Sequence, residues 1–339
     1  MDRAKAQHYL DLASQFRSTI SGPNGEEASN QLEAHDQELQ DALTWFIENH
    51  EMDKALLLSS VLWRFWVDKG HVAEGRKLVT RLLEQPEMKP TANAYGEVLL
   101  GAGMLAFRQN DNDEANRLFQ KSLAVSREKK DKMTTARALT GLARAALRDG
   151  DYTQVKVRAD EARTIARSMK DEYAETRPLH MLAAAARMEG DLKHARDLYN
   201  ESLALARKIR DEALVSNELD NLGSVSLHLG EVKGAKDMYR EAAERIYKQQ
   251  NMYLLPYVPL HFSMVALEEG KHERAVKLLA ASDALFESSG MSPDPDEIVE
   301  RENTISRLRK AVDVGNFERL WTEGRKLSLD QTVRYSLEV

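Results

Sequence analysis

The amino-acid sequence predicts an all-α fold, an α-solenoid whose helix pairs stack as a right-handed superhelix with a 40-residue period. Three observations predict it. Six segments align without gaps: KGHVAEGRKLV, QNDNDEANRLF, DGDYTQVKVRA, EGDLKHARDLY, LGEVKGAKDMY and EGKHERAVKLL. Their second residues, Gly70, Asn110, Gly150, Gly190, Gly230 and Gly270, are spaced by 40. Gly and Asn best tolerate the left-handed conformation that ends a helix. Asp131, Asp171, Asp211 and Asn251 recur in the same register, where new helical patterns open, as residues that accept from unpaired first-turn N–H groups. The helix after each turn repeats a face of small, bulky and small residues. Its first position is Gly75, Ala115, Val155, Ala195, Ala235 and Ala275; its second is Val79, Phe119, Ala159, Tyr199, Tyr239 and Leu279. The third is Leu82, Ser122, Ala162, Ser202, Ala242 and Ser282. Such a face lets two helix axes approach and then plugs the gap between them. The third unit, with Val155 and Ala159, departs most. No alternating strand pattern competes.

The elements follow in order. Residues 1–50 predict an N-terminal helix pair, 2–20 and 26–49, parted by a loop at Ser21–Gly25. Residues 51–290 predict six helix-turn-helix repeats, each a helix of about four turns, a tight turn and a slightly longer helix. Pro86 and Pro90 sit at a unit junction. Pro178, Pro256 and Pro259 fall early in first helices, where a missing N–H is least damaging. The last two predict a delayed or distorted helix in the sixth unit. Residues 291–339 predict the rest of the SGMSPDPD linker and then capping helices over 297–314 and 316–337, which cover the apolar end of the stack.

Composition narrows the function. With 42% apolar and 30% charged residues, the 339-residue chain is neither collagen-like nor disordered. It has no cysteine, which excludes disulfides, thiolate nucleophiles and Cys-ligated metals. No apolar run approaches ~18 residues, so no membrane span is expected. The charged N-terminus lacks a secretory core, and the expected compartment is the cytoplasm. A net charge of −7 argues against DNA binding by this chain alone. Charge is uneven, however. Residues 24–51 carry eight acids and no Lys or Arg, whereas residues 117–170 carry fourteen Lys/Arg against six acids.

The small–bulky–small face after a Gly-Asp turn resembles tetratricopeptide repeats with lengthened helices. A more specific resemblance lies at the two ends. LEAHDQELQDALTWFIENHEMDKALLLSSVLWRFWVDKGHVAEGRKLVTRLLE (32–84) and FERLWTEGRKLSLDQTVRYSL (317–337) resemble the opening and closing of a helical-repeat sensor region. That region belongs to bacterial STAND-type and LuxR- or AfsR-like signalling ATPase regulators. The family's ATPase module is not expected here, because G-x-x-x-x-G-K-S/T is missing. No segment remains for a DNA-reading helix-turn-helix. The resemblance then implies either a stand-alone sensor-like protein or a piece of a longer regulator.

Catalytic chemistry is sparse. Gly101, Gly103 and Ala106 match a dinucleotide fingerprint, yet Gly103 falls in repeat register with Ala143, Ala183 and Gly223 and reads as a packing site. His272-Glu273 lacks a second His at Val276, so no H-E-x-x-H zinc motif forms. No G-x-S-x-G elbow occurs. An enzyme is not expected, nor a metal or cofactor. The aromatics Trp45, Phe46, Trp63, Phe65 and Trp66 read as core between the N-terminal pair and the first repeat, against a hydrophobic docking surface.

The resemblance implies a concave groove lined by first helices. Its register places Arg137, Arg144 and Arg148 there in the third unit, and Arg177, His180 and Arg187 in the fourth. The fifth contributes Asn217, Asn221 and His228, and the sixth Tyr257 and His261. Asn221 stands where such grooves hold a peptide backbone. The arginines read as one basic trough, suited to carboxylate or phosphate through paired hydrogen bonds; the competing reading is salt bridges to neighbouring helices. The expected function is a non-catalytic module, a sensor or scaffold of bacterial signal transduction or transcriptional regulation. Its expected partner is an acidic peptide, an acidic protein segment or a small anionic ligand. The alternatives are a free-standing protein–protein adaptor and an RNA or phosphate-backbone binder acting through residues 117–170.

Overall fold

The computed structural model describes residues 1–20, 25–89 and 94–338. Among them are eighteen α-helices and no strand. The first five are α1 (Arg3–Ser14), α2 (Gly25–Glu33), α3 (Asp36–Glu48), α4 (Met52–Lys69) and α5 (Val72–Leu83). Next come α6 (Tyr95–Arg108), α7 (Asn112–Glu128), α8 (Lys132–Arg148), α9 (Tyr152–Met169) and α10 (Glu172–Met188). Then follow α11 (Leu192–Ile209), α12 (Glu212–His228), α13 (Val232–Lys248), α14 (Tyr257–Glu268) and α15 (His272–Ser289). The last three are α16 (Pro295–Ala311), α17 (Val314–Gly324) and α18 (Leu329–Leu337). The fold is an all-α, tetratricopeptide-like helical repeat. The chain forms two compact units, Met1–Met181 and Leu182–Val339. No helix of the described residues is long and apolar enough to cross a membrane.

The turn register is visible in the backbone. Gly70, Asn110, Gly150, Gly190, Gly230 and Gly270 all have positive φ, between 62° and 85°. The residue after the turn closes the helix end: Asp191 N–H donates to Ala186 O and Glu231 N–H to Ser226 O, both at 2.9 Å. Second helices end the same way without a sequence mark. Lys130, Lys170, Arg210 and Gln250 are left-handed with φ of 50–57°. The capping acids act as their pattern predicts. Asp131 accepts from Thr134 N–H, Asp171 from Ala174 N–H and Asp211 from Leu214 N–H. Asn251 accepts from Tyr253 and Leu254 N–H, but α14 begins only at Tyr257, with Pro256 as its N-cap and Pro259 in its first turn.

The small and bulky positions interlock across helices. In the first unit a Cβ on Gly103 would lie 2.6 Å from the Phe119 ring, and one on Gly141 2.8 Å from it. Trp63 and Trp66 likewise lie against Gly101 and Gly75. The Gly101/Gly103 pair therefore serves packing inside α6. In the second unit the Tyr239 ring covers Gly223, and its hydroxyl shares a 2.9 Å hydrogen bond with Ser224. The small position three residues on is a buried serine in alternate units. Ser122 donates to Gly96 O, Ser202 to Glu218 and Ser282 to Pro256 O, at 2.7–2.8 Å. Phe46, Trp63, Phe65 and Trp66 are buried, while Trp45 is half-buried.

Two local readings change. Where the sequence suggests one helix over 26–49, α2 and α3 break at Ala34 and His35, so three helices rather than a pair precede α4. The 316–337 segment also divides, because Ser328 and Gln331 form a reciprocal capping box that starts α18 afresh. The predicted loop residues 21–24, and Pro90, lie outside the described residues.

Candidate functional site

The predicted groove residues divide between the units. Arg137, Arg144, Arg148, Arg177 and His180 lie in the first, and Arg187, Asn217, Asn221, His228, Tyr257 and His261 in the second. In the first unit, Arg137 is turned to Glu97, one repeat earlier, at 3.0 Å. Arg148 donates to Phe107 O at 2.9 Å, and its guanidinium sits 3.7 Å from the Phe107 ring centroid. Arg144, 8% exposed, and the buried Arg108 approach the same ring at 5.9 and 5.6 Å. One aromatic face thus gathers three guanidinium groups. Arg177 is half-buried and His180 buried.

The second unit holds a connected, buried ionic cluster. His261 of α14 is 1% exposed; its Nδ1 meets Asp220 of α12 and its Nε2 meets Glu297 of α16, both at 2.8 Å. A neutral imidazole has one N–H, so facing two carboxylates requires the doubly protonated ring. Burial disfavours that charge, but the Asp220 and Glu297 carboxylates overcome it and raise the His261 pKa to about 10. The ring also stacks on Tyr239, centroids 4.8 Å apart. For Glu297, burial is outweighed by His261 and then Arg187, which hold it at about 2. Burial raises Asp220 against the pull of His261, and raises Tyr239 well above the ordinary phenol range.

Glu297 also accepts from Arg187 Nη2 of α10 at 3.2 Å. Arg187 Nη1 lies 3.6 Å from Glu300, which pairs with His228 Nε2 at 2.6 Å. Tyr253 and Tyr257 both donate their hydroxyls to Asp294, at 2.9 and 3.2 Å. One carboxylate, Glu297, thus joins α10 to α14 past α12. Polar side chains of three successive first helices therefore converge on the start of α16.

Asn221 spends an amide N–H on Asn217 O in its own helix. Asp294, Glu297 and Glu300 were not among the predicted site residues, since they belong to the linker and capping helix. Their signal was charge complementarity, an acidic D-x-x-E-x-x-E run in a chain whose groove register is basic. With both ring nitrogens engaged by Asp220 and Glu297, His261 is fixed between two carboxylates.

The fold and cluster define a tetratricopeptide-like helical repeat with a carboxylate-gripping first-helix face. The tetratricopeptide repeat family model matches residues 91–168, covering α6 to α9. A crystal structure of a Rap protein complexed with Competence and Sporulation Factor is similar, at 13% identity and TM-score 0.63 over 94% of this chain and 86% of that one. NprR in complex with its cognate peptide NprX is similar at 14% identity and TM-score 0.57, over 97% and 91%. A STAND signal-transduction ATPase with a tetratricopeptide repeat sensor, from Pyrococcus horikoshii, is similar at 13% identity and TM-score 0.54, over 84% and 45%. No curated protein matches the sequence.

Proposed function

We propose that this chain is a non-catalytic module that binds an acidic peptide or protein segment, as a sensor or scaffold of bacterial signal transduction or transcriptional regulation. One observation carries the reading: Arg187, His228, His261, Tyr253 and Tyr257 already hold three carboxylates of an extended-then-helical segment. Asn217 and Asn221 belong to α12, the helix that also carries Asp220 and His228. The likeness to Rap and NprR, each crystallised with a factor or peptide, supports a peptide partner. Binding of a phosphate backbone along residues 117–170 is disfavoured. Arg117 pairs there with Glu114, Arg127 with Glu161, and Arg163 and Arg167 with Glu175.

The test uses a fluorescein-labelled peptide of residues 291–303 and the full chain carrying Glu297→Gln and Glu300→Gln. Saturable binding is expected, weakened about tenfold or more by adding Arg187→Ala, since each charge-assisted hydrogen bond contributes about 1.5–3 kcal/mol. A peptide with amides in place of the acids at 294, 297 and 300 should bind far more weakly. Equal binding of acid and amide peptides would refute an acid-binding face.

A further inference from the structure

We propose that the first two turns of α16, with Asp294, Glu297 and Glu300, are an intrachain ligand that occupies this face, and that the partner is a segment with acids in the same D-x-x-E-x-x-E spacing that binds by displacing them. The inference rests on the acid-binding reading above. Four observations carry it.

The segment's hold is polar. Its anchors are the ion pairs and tyrosine hydrogen bonds already described and, in the second turn, the Arg301–Asp283 ion pair to α15, while Val299 is 41% exposed and Ile298 half-buried. Farther along α16 the anchoring changes character, with Thr304 and Leu308 buried. The start of the helix can therefore leave while its second half stays.

The helix start lacks a side-chain cap. Asp294 is the N-cap residue of α16, yet its side chain makes no capping hydrogen bond and is given to Tyr253 and Tyr257 instead. The four residues before α16 have no helical structure.

Charge makes the exchange selective. With the segment out, Arg187, His228 and His261 lose the Glu297 and Glu300 carboxylates that pair with them. An uncompensated buried charge is strongly unfavourable. A guest must therefore bring carboxylates of its own, and at i and i+3 to meet Arg187 with His261 and then His228.

The spacing is the recognition element. Glu297 and Glu300 share one helical face, as residues three apart do. Asp294 precedes them by another three, where two hydroxyls converge. A partner matching all three positions repeats every contact, so the exchange is like for like and favours whichever segment adds contacts beyond these. A tethered segment competes at an effective concentration on the order of millimolar.

The experiment compares the full wild-type chain with the Glu297→Gln/Glu300→Gln chain, using the 291–303 peptide as probe. The wild type should bind only near millimolar probe, and the variant about tenfold or more tighter, because its face is open for a larger fraction of the time. Hydrogen exchange on the wild type gives a second measurement independent of the variant's folding. Millimolar probe should deprotect amides 298–302 while leaving 305–310 protected. Equal affinity in both chains, or bound probe with unchanged protection at 298–302, would overturn the intrachain-ligand inference and leave the acid-binding reading standing. Failure of both chains to bind would overturn the acid-binding reading itself, and this inference with it.

Discussion

Replacing His261 with Ala tests the buried cluster directly. The substitution removes two 2.8 Å charge-assisted hydrogen bonds and the stack on Tyr239. It also leaves Asp220 and Glu297 as buried carboxylates with Arg187 as their nearest remaining cation. Breaking a buried pair from one side costs about 3–5 kcal/mol, mostly through the stranded charge. For a unit the size of Leu182–Val339 this lowers the melting temperature by roughly 6–20 °C. Far-UV circular dichroism reads the loss. Fluorescence assigns it, because Trp321 lies in the second unit and Trp45, Trp63 and Trp66 in the first. Adding Asp220→Asn to His261→Ala removes one stranded carboxylate and should recover about 1 kcal/mol or more. A His261→Ala effect under about 1 kcal/mol, or a double variant no more stable than the single one, would refute the charge argument.

Stability should also depend on pH. Glu297, depressed to about 2, stabilises fully above its ordinary 4.5 and loses this as pH falls toward 2; His261, raised to about 10, stabilises fully below 6.5 and loses this as pH rises through 10. Raised Asp220 offsets part of the acid-side gain, and denaturation at about pH 5.5 and 9 should show a larger drop in the wild type than in His261→Ala. At the turns, Gly230→Val should destabilise by about 1 kcal/mol or more through its φ of +77° alone, since nothing lies within 4 Å of the added Cβ. Arg210→Gly, at φ +57°, should stabilise by about 1 kcal/mol in the same melts. Gly103→Ala should cost about 1–3 kcal/mol in the first unit, because its Cβ meets the Phe119 ring and Ala115 O.

The fold was legible where a residue's conformation leaves a compositional trace. The left-handed turns at 70, 110, 150, 190, 230 and 270 select Gly or Asn, and the first-turn N–H groups select Asp. The equally left-handed ends at Lys130, Lys170, Arg210 and Gln250 left no trace, because any residue tolerates that conformation at a modest cost. The Ser328–Gln331 capping box was present as a pattern, but the apolar spacing runs through it and read as one helix. At the site, the register names Arg187, His228 and His261 but gives no partner for any of them. Arg137 and Glu97 are one period apart and so were recoverable from the repeat, whereas Arg187 and Glu297 are separated by 110 positions. Long-range pairing of this kind is encoded only in charge balance.

Charge balance also explains why the face cannot be inert. Arg187 and His261 are buried almost completely, and a buried cation persists only beside carboxylates that complete its hydrogen bonds. Asp220 supplies a carboxylate to His261 from within the first helices. Glu297 supplies a second from α16, whose start is anchored mainly by ionic and polar contacts. An apolar anchor would make such a segment part of the core, as Leu308 does farther along the same helix. A polar anchor makes its attachment depend on what else can supply the charge, which is why the proposed exchange calls for a partner that brings acids of its own.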